Sequence, residues 1–159
     1  MEFSPSGGRL AILGGRRVWL MDVQDGDVLA DVDLGEVHAD FAFADDDRLF
    51  LGGESGTLRT LATDRTGNWN LRNVWSGASP LRRLEISRGK GLLVLVDAAQ
   101  KVQLLDLDTG RIGASHLELP DAVNDISFSP NETRVLLRSA RWIHRASVSP
   151  SAFARRRAT

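Results

Sequence analysis

Phe128-Ser129-Pro130-Asn131-Glu132, followed by Val135-Leu136-Leu137, decides how this chain is read, because the pattern occurs four times. Its counterparts are Phe3-Ser4-Pro5-Ser6-Gly7 before Leu10-Ala11-Ile12-Leu13, Phe43-Ala44-Asp45-Asp46-Asp47 before Leu49-Phe50-Leu51, and Ile86-Ser87-Arg88-Gly89-Lys90 before Leu92-Leu93-Val94-Leu95-Val96. The anchors Phe3, Phe43, Ile86 and Phe128 lie 40, 43 and 42 residues apart. A second series agrees. Val18-Trp19-Leu20-Met21-Asp22 and Val102-Gln103-Leu104-Leu105-Asp106 are two repeats apart, with Leu58-Arg59-Thr60-Leu61 between them and Trp142-Ile143 after. Gly26, Gly67 and Gly110 form a third. Three landmark series with one period of about 42 residues mark an internal repeat.

Within each repeat, apolar residues alternate in short runs bounded by Gly, Asp, Ser and Pro, which is the pattern of strands rather than helices. Leu81 to Ile86 and Val123 to Phe128 read as matching first strands. Asp22 to Gly26 and Asp106 to Gly110 read as hairpin turns, where Asp bonds its own backbone and Gly supplies positive φ. Outer strands are expected at Val28 to Val32, Asn70 to Trp75 and Ile112 to Leu117. The expected fold class is all-β: β-propeller blades of four antiparallel strands, about 3.5–4 repeats of roughly 42 residues. The repeats fall near residues 1–36, 37–78, 79–120 and 121–150, with 149–159 a basic tail that carries Arg155-Arg156-Arg157.

Phe3-Ser4-Pro5 with Leu10-Ala11, then Gly52-Gly53-Glu54-Ser55-Gly56-Thr57-Leu58, then Val18-Trp19-Leu20-Met21-Asp22, resemble the WD-repeat family, from Phe3 to about Val148. The resemblance implies a propeller used as a protein-interaction scaffold. The sequence departs from that family's pattern. Its Trp-Asp dipeptide stands here as Met21-Asp22, Leu61-Ala62, Leu105-Asp106 and Arg145-Ala146. Its Gly-His pair is missing, and Gly14 and Ala98 stand near the place of its turn aspartate. The departures imply sheets held mainly by apolar packing. Leu105-Asp106-Leu107-Asp108-Thr109-Gly110-Arg111 is similar to the blade turn of pyrroloquinoline-quinone dehydrogenases, without the tryptophan that closes that motif.

Composition narrows the function classes. The chain of 159 residues has 20 basic and 21 acidic residues, a net charge of −1, so no general basicity recommends it for nucleic acid or a membrane surface. There is no cysteine, hence no disulfide, thiolate nucleophile or Cys-based zinc site. No basic region precedes an apolar stretch at the N-terminus, which gives a cytoplasmic expectation. Only Glu2 and Phe3 remain of the first strand of the first repeat. Part of a longer protein, or two copies joining as an eight-bladed ring, are therefore expected ahead of four blades closing alone, because open terminal blades leave apolar faces and strand edges uncovered.

No catalytic, cofactor or metal constellation stands out. His38, His116 and His144 lie in different repeats without ligand spacing. Asp45-Asp46-Asp47 reads as turn acids rather than a calcium loop. Gly14-Gly15 and Gly52-Gly53 precede no helix, so they are turns and not phosphate cradles. Trp19, Trp69, Trp75 and Trp142 read as packing residues. The loops between second and third strands gather Arg16, Arg17, Lys101, Arg138 and Arg141 on one end, with Glu54 among them, and this rim is the candidate partner-binding surface. The expected function is a non-catalytic scaffold or docking module, with a quinoprotein-like enzyme domain or an accessory unit of a larger signalling or hydrolytic protein as alternatives. No cofactor is expected, and the partner is another protein or peptide.

Overall fold

Alternation of apolar and polar side chains places successive residues on opposite faces of a strand. The computed structural model, which describes residues 1–113 and 119–148, turns that alternation into four separate antiparallel sheets. The first contains β1 (Glu2–Phe3), β2 (Arg9–Gly14), β3 (Arg17–Asp22) and β4 (Val28–Asp33); the second, β5 (His38–Asp45), β6 (Arg48–Gly53), β7 (Thr57–Thr63) and β8 (Trp69–Ser76). The third contains β9 (Leu81–Ser87), β10 (Leu92–Asp97), β11 (Val102–Asp106) and β12 (Ile112–Gly113); the fourth, β13 (Val123–Phe128), β14 (Arg134–Ser139) and β15 (Ile143–Ser147). Each sheet is a meander in which strands pair in chain order. A single 3-10 turn at Arg88–Lys90 is the other regular element among the described residues, and no helix there is long and apolar enough to cross a membrane.

The hairpin turns follow from side-chain chemistry. Asp22, Asp64 and Asp106 are spaced 42 residues apart and end the third-strand segments. Asp22 Oδ1 accepts from the amides of Gln24 and Asp25, Asp64 Oδ1 from Thr66 and Asn68, and Asp106 Oδ1 from Asp108 and Thr109. Each turn finishes on a glycine with positive φ: Gly26 at 75°, Gly67 at 84° and Gly110 at 66°. These angles disfavour any side chain with a Cβ.

The sheets pack face to face in series through three apolar cores. The first and second share Ala11, Val18, Leu20, Phe43, Leu49 and Leu51. The second and third share Phe50, Leu58, Leu84, Leu93, Leu95 and Leu105. The third and fourth share Leu92, Val94, Val96, Ile126, Val135 and Leu137. Strand β10 therefore faces two cores at once, and all six of its residues are buried. Full burial of one such side chain is worth about 1.5–3 kcal/mol.

Polar ties reinforce the same junctions. Arg9 donates to the Asp46 carbonyl and pairs with Asp47 at 2.7 Å, while its guanidinium lies 5.2 Å from the Trp69 ring centre. The acids of the second repeat's first turn thus hold the first sheet instead of simply facing water. Ser87 donates to Glu132 at 2.7 Å across the third junction.

The WD-repeat resemblance is not borne out, and closure into a propeller is not shown: the four sheets are separate, and among the described residues no apolar core joins the fourth sheet to the first. What stands is an all-β chain of three- and four-stranded antiparallel sheets. Trp142 precedes β15 and is 60% exposed, so it is not a packing residue. The outer strand expected at Ile112 to Leu117 is described only as far as Gly113. His116 and the basic tail 149–159 lie outside the described residues.

Candidate functional site

The first strands of all four sheets converge on one cavity of about 300 Å³. Glu2 comes from β1, Asp40, Phe41 and Ala42 from β5, Arg83, Leu84 and Glu85 from β9, and Asp125 and Ile126 from β13. Register irregularities in β5 between His38 and Asp40, and in β13 between Val123 and Asp125, fall beside two of these carboxylates. Such bulges re-aim side chains. The four acids sit one or three positions before the anchors Phe3, Phe43, Ile86 and Phe128. A carboxylate recurring at an odd offset from the anchor is the signal of this site in the sequence.

Charge in the cavity is unbalanced. Glu85 is pushed up to about 7, first by burial and then by the negative charges of Glu2 and Asp40, with Arg88 working against the rise. Burial also raises Glu2, although Arg88 lies 3.7 Å away and opposes it. Asp40 is raised by burial despite accepting the amide protons of Leu84 (2.9 Å) and Phe41 (3.0 Å). Asp40 thereby ties β5 to β9. Arg83 Nε donates to the Asn124 carbonyl at 3.2 Å and ties β9 to β13. Arg88 reaches Glu2 and links the third sheet to the first. These contacts make the cavity a junction of strands with a proton-sensitive centre. Among the described residues no group of three or more His, Asp or Glu is arranged to hold a metal ion.

A second polar centre lies in the connector between the first two sheets. Glu36 accepts from the Ser55 amide at 2.8 Å and from the Thr57 hydroxyl at 2.5 Å, and pairs with Arg59 at 3.1 Å. Arg59 also donates to the Leu34 carbonyl. Burial alone raises the Glu36 carboxyl, but the hydrogen bonds from Ser55 and Thr57 and the charge of Arg59 hold it at about 2. A Cβ at Gly53 would stand 2.8 Å from Glu36 Oε1, so the close approach requires glycine there. His38 is buried and donates its Nδ1–H to the Glu36 carbonyl (3.0 Å), and that burial lowers the pKa of its imidazole.

The rim residues expected from sequence sit in or beside the loops between second and third strands. Arg17 pairs with Asp31 at 2.9 Å, Glu54 with Arg82 at 3.8 Å and Arg138 with Asp125 at 3.6 Å. Arg16, Lys101 and Arg141 are exposed. Half of this set is thus engaged by charge partners on its own or the adjoining sheet.

The outer faces of the terminal sheets are the other open surfaces. In the first sheet Ala11, Val18 and Leu20 point into a core, so Leu10, Ile12, Trp19 and Met21 point away from it. Phe3, opposite Leu10, is 56% exposed, and Val28, opposite Met21, is 59% exposed. In the fourth sheet Leu136 (39%) and Ile143 (71%) face outward among Arg134, Arg138 and Arg145.

No family model matches the chain, and no curated protein matches it. Among solved structures it is similar to the computationally designed Ika4 protein, with a TM-score of 0.73 and 16% identity over 89% of this chain and 86% of that one. It is also similar to the computationally designed Ika8 protein, with a TM-score of 0.73 and 16% identity over 88% of this chain and 43% of that one. Likeness at this identity is a likeness of fold. These findings overturn the resemblance to the WD-repeat family and remove the support it lent to a scaffold role.

Proposed function

We propose that the chain is a non-catalytic protein-interaction module, in which serially packed sheets work through their outer surfaces. The uncovered apolar faces of the terminal sheets support this reading. Inner junctions bury leucine, isoleucine and valine from both sides, whereas Phe3, Val28, Leu136 and Ile143 are left to solvent. Exposed apolar residues gathered on one face, rather than scattered singly, mark surfaces that associate. The central cavity fits a structural part in this reading, because Asp40 ties β5 to β9 and Glu2 pairs with Arg88 of the third sheet.

A photo-crosslinking side chain at position 143 tests the proposal in the cell. The expected result is a covalent adduct to another polypeptide, absent when the same group is placed at Asn68 in the turn after β7. Equal labelling at both positions would sink the reading.

A further inference from the structure

Resting on that reading, we infer that the partner is a second copy of this chain, docked with the outer face of its fourth sheet on the outer face of the first. The two faces complement each other. The first is apolar along Phe3, Leu10, Ile12, Trp19 and Met21, and β4 adds the acids Asp31 and Asp33 beside it. The fourth carries Leu136 and Ile143 framed by Arg134, Arg138 and Arg145. Arg17 engages Asp31 and Asp125 engages Arg138 within the chain; among the described residues Asp33, which accepts the Gly35 amide at 2.8 Å, and Arg134 and Arg145 form no ion pair, so their charges face a partner. Apolar contact supplies the affinity of such a surface, and opposite charges set its register.

Because the two faces differ, the contact is heterologous. Two copies satisfy it by using it twice about a two-fold axis, with sheet four of each on sheet one of the other. Every outer apolar face is then covered, and no open end remains to recruit a third copy.

Light scattering on the purified full chain reads the outcome. The expected particle has twice the chain mass of 17.4 kDa, across dilution. Ile143→Lys and, separately, Phe3→Lys each raise the dissociation constant at least about tenfold, equivalent to about 1.4 kcal/mol. Both positions are solvent-exposed, and an unchanged melting curve at low concentration shows that the variants fold. Asp33→Lys and Arg145→Glu each weaken the pair, and the double exchange restores it. A particle of single-chain mass at all concentrations overturns the inference, as do open-ended polymers or a double exchange without rescue. If the purified chain is a single copy while the crosslinker at position 143 still captures a different protein, self-pairing fails and the interaction reading stands. If the crosslinker captures nothing, both fail.

Discussion

The second and third sheets differ from the first and fourth in one respect that the middle strands display. In β6 and β10 every apolar residue meets a core, Leu49 and Leu51 on one side and Phe50 on the other, Leu93 and Leu95 on one side and Leu92, Val94 and Val96 on the other. In β2 and β14 only alternate residues do so. Ala11 is buried between the partly exposed Leu10 and Ile12, and Leu136 is 39% exposed between the buried Val135 and Leu137. An unbroken apolar run marks a strand covered on both faces. The same composition in a terminal sheet marks a surface waiting for cover.

The sharpest break of this comparison is a truncation in an inner strand. Leu95→Ala, in a strand packed on both sides, costs about 2–4 kcal/mol in chemical unfolding. Replacing Glu36 with Gln removes the charge that Ser55, Thr57 and Arg59 hold, and costs about 1–2 kcal/mol at pH 7. The folded carboxyl sits at about 2 against an ordinary value of 4.5, so this stability is present above pH 4.5 and is lost as pH falls towards 2. A melting series from pH 7 to pH 3 should show the native protein losing its advantage over the variant.

Glu85→Gln works in the opposite sense. The folded carboxyl holds its proton up to about pH 7 while the unfolded chain releases it near 4.5. Stability therefore falls as pH rises from 4.5 to 7, and the raised Glu2 and Asp40 act in the same direction. The variant should gain about 1 kcal/mol at pH 8 after solvent screening and nothing at pH 4. No gain at pH 8 would show that the cavity charges are already neutralised. The smallest effect belongs to Leu136→Ser measured on the pairing-deficient Ile143→Lys background, within about 0.5 kcal/mol, as expected of a surface position. Were it to match Leu95→Ala, the fourth sheet would be covered and the contrast between inner and outer sheets would fail.

Much of the fold was legible in the sequence because strands and turns are local. The apolar run Leu92 to Val96 reads as a strand, which the structure buries on both faces, and Gly26, Gly67 and Gly110 mark turns that take positive φ. The family resemblance misled because Phe-Ser-Pro turns and strand-ending aspartates arise from turn chemistry that any meander uses. The central cavity was legible only as a carboxylate recurring ahead of each anchor. Glu2, Asp40, Glu85 and Asp125 belong to four different repeats, and nothing local says that four first strands meet. Ion pairing was equally hidden: Arg17, Glu54 and Arg138 look like free rim charges until the register places Asp31, Arg82 and Asp125 beside them.

Each sheet is built from one uninterrupted stretch of chain and touches chiefly its neighbours in sequence. Such an arrangement behaves as a row of coupled units rather than as one indivisible block. Closing a hairpin within a sheet requires only a short loop, so structure forms early and locally before the cores join. The order of loss runs the other way. Amide exchange should be slowest in β6 and β10, where two cores must part together, and fastest in β4 and β15, so that the molecule opens from its outer sheets inward.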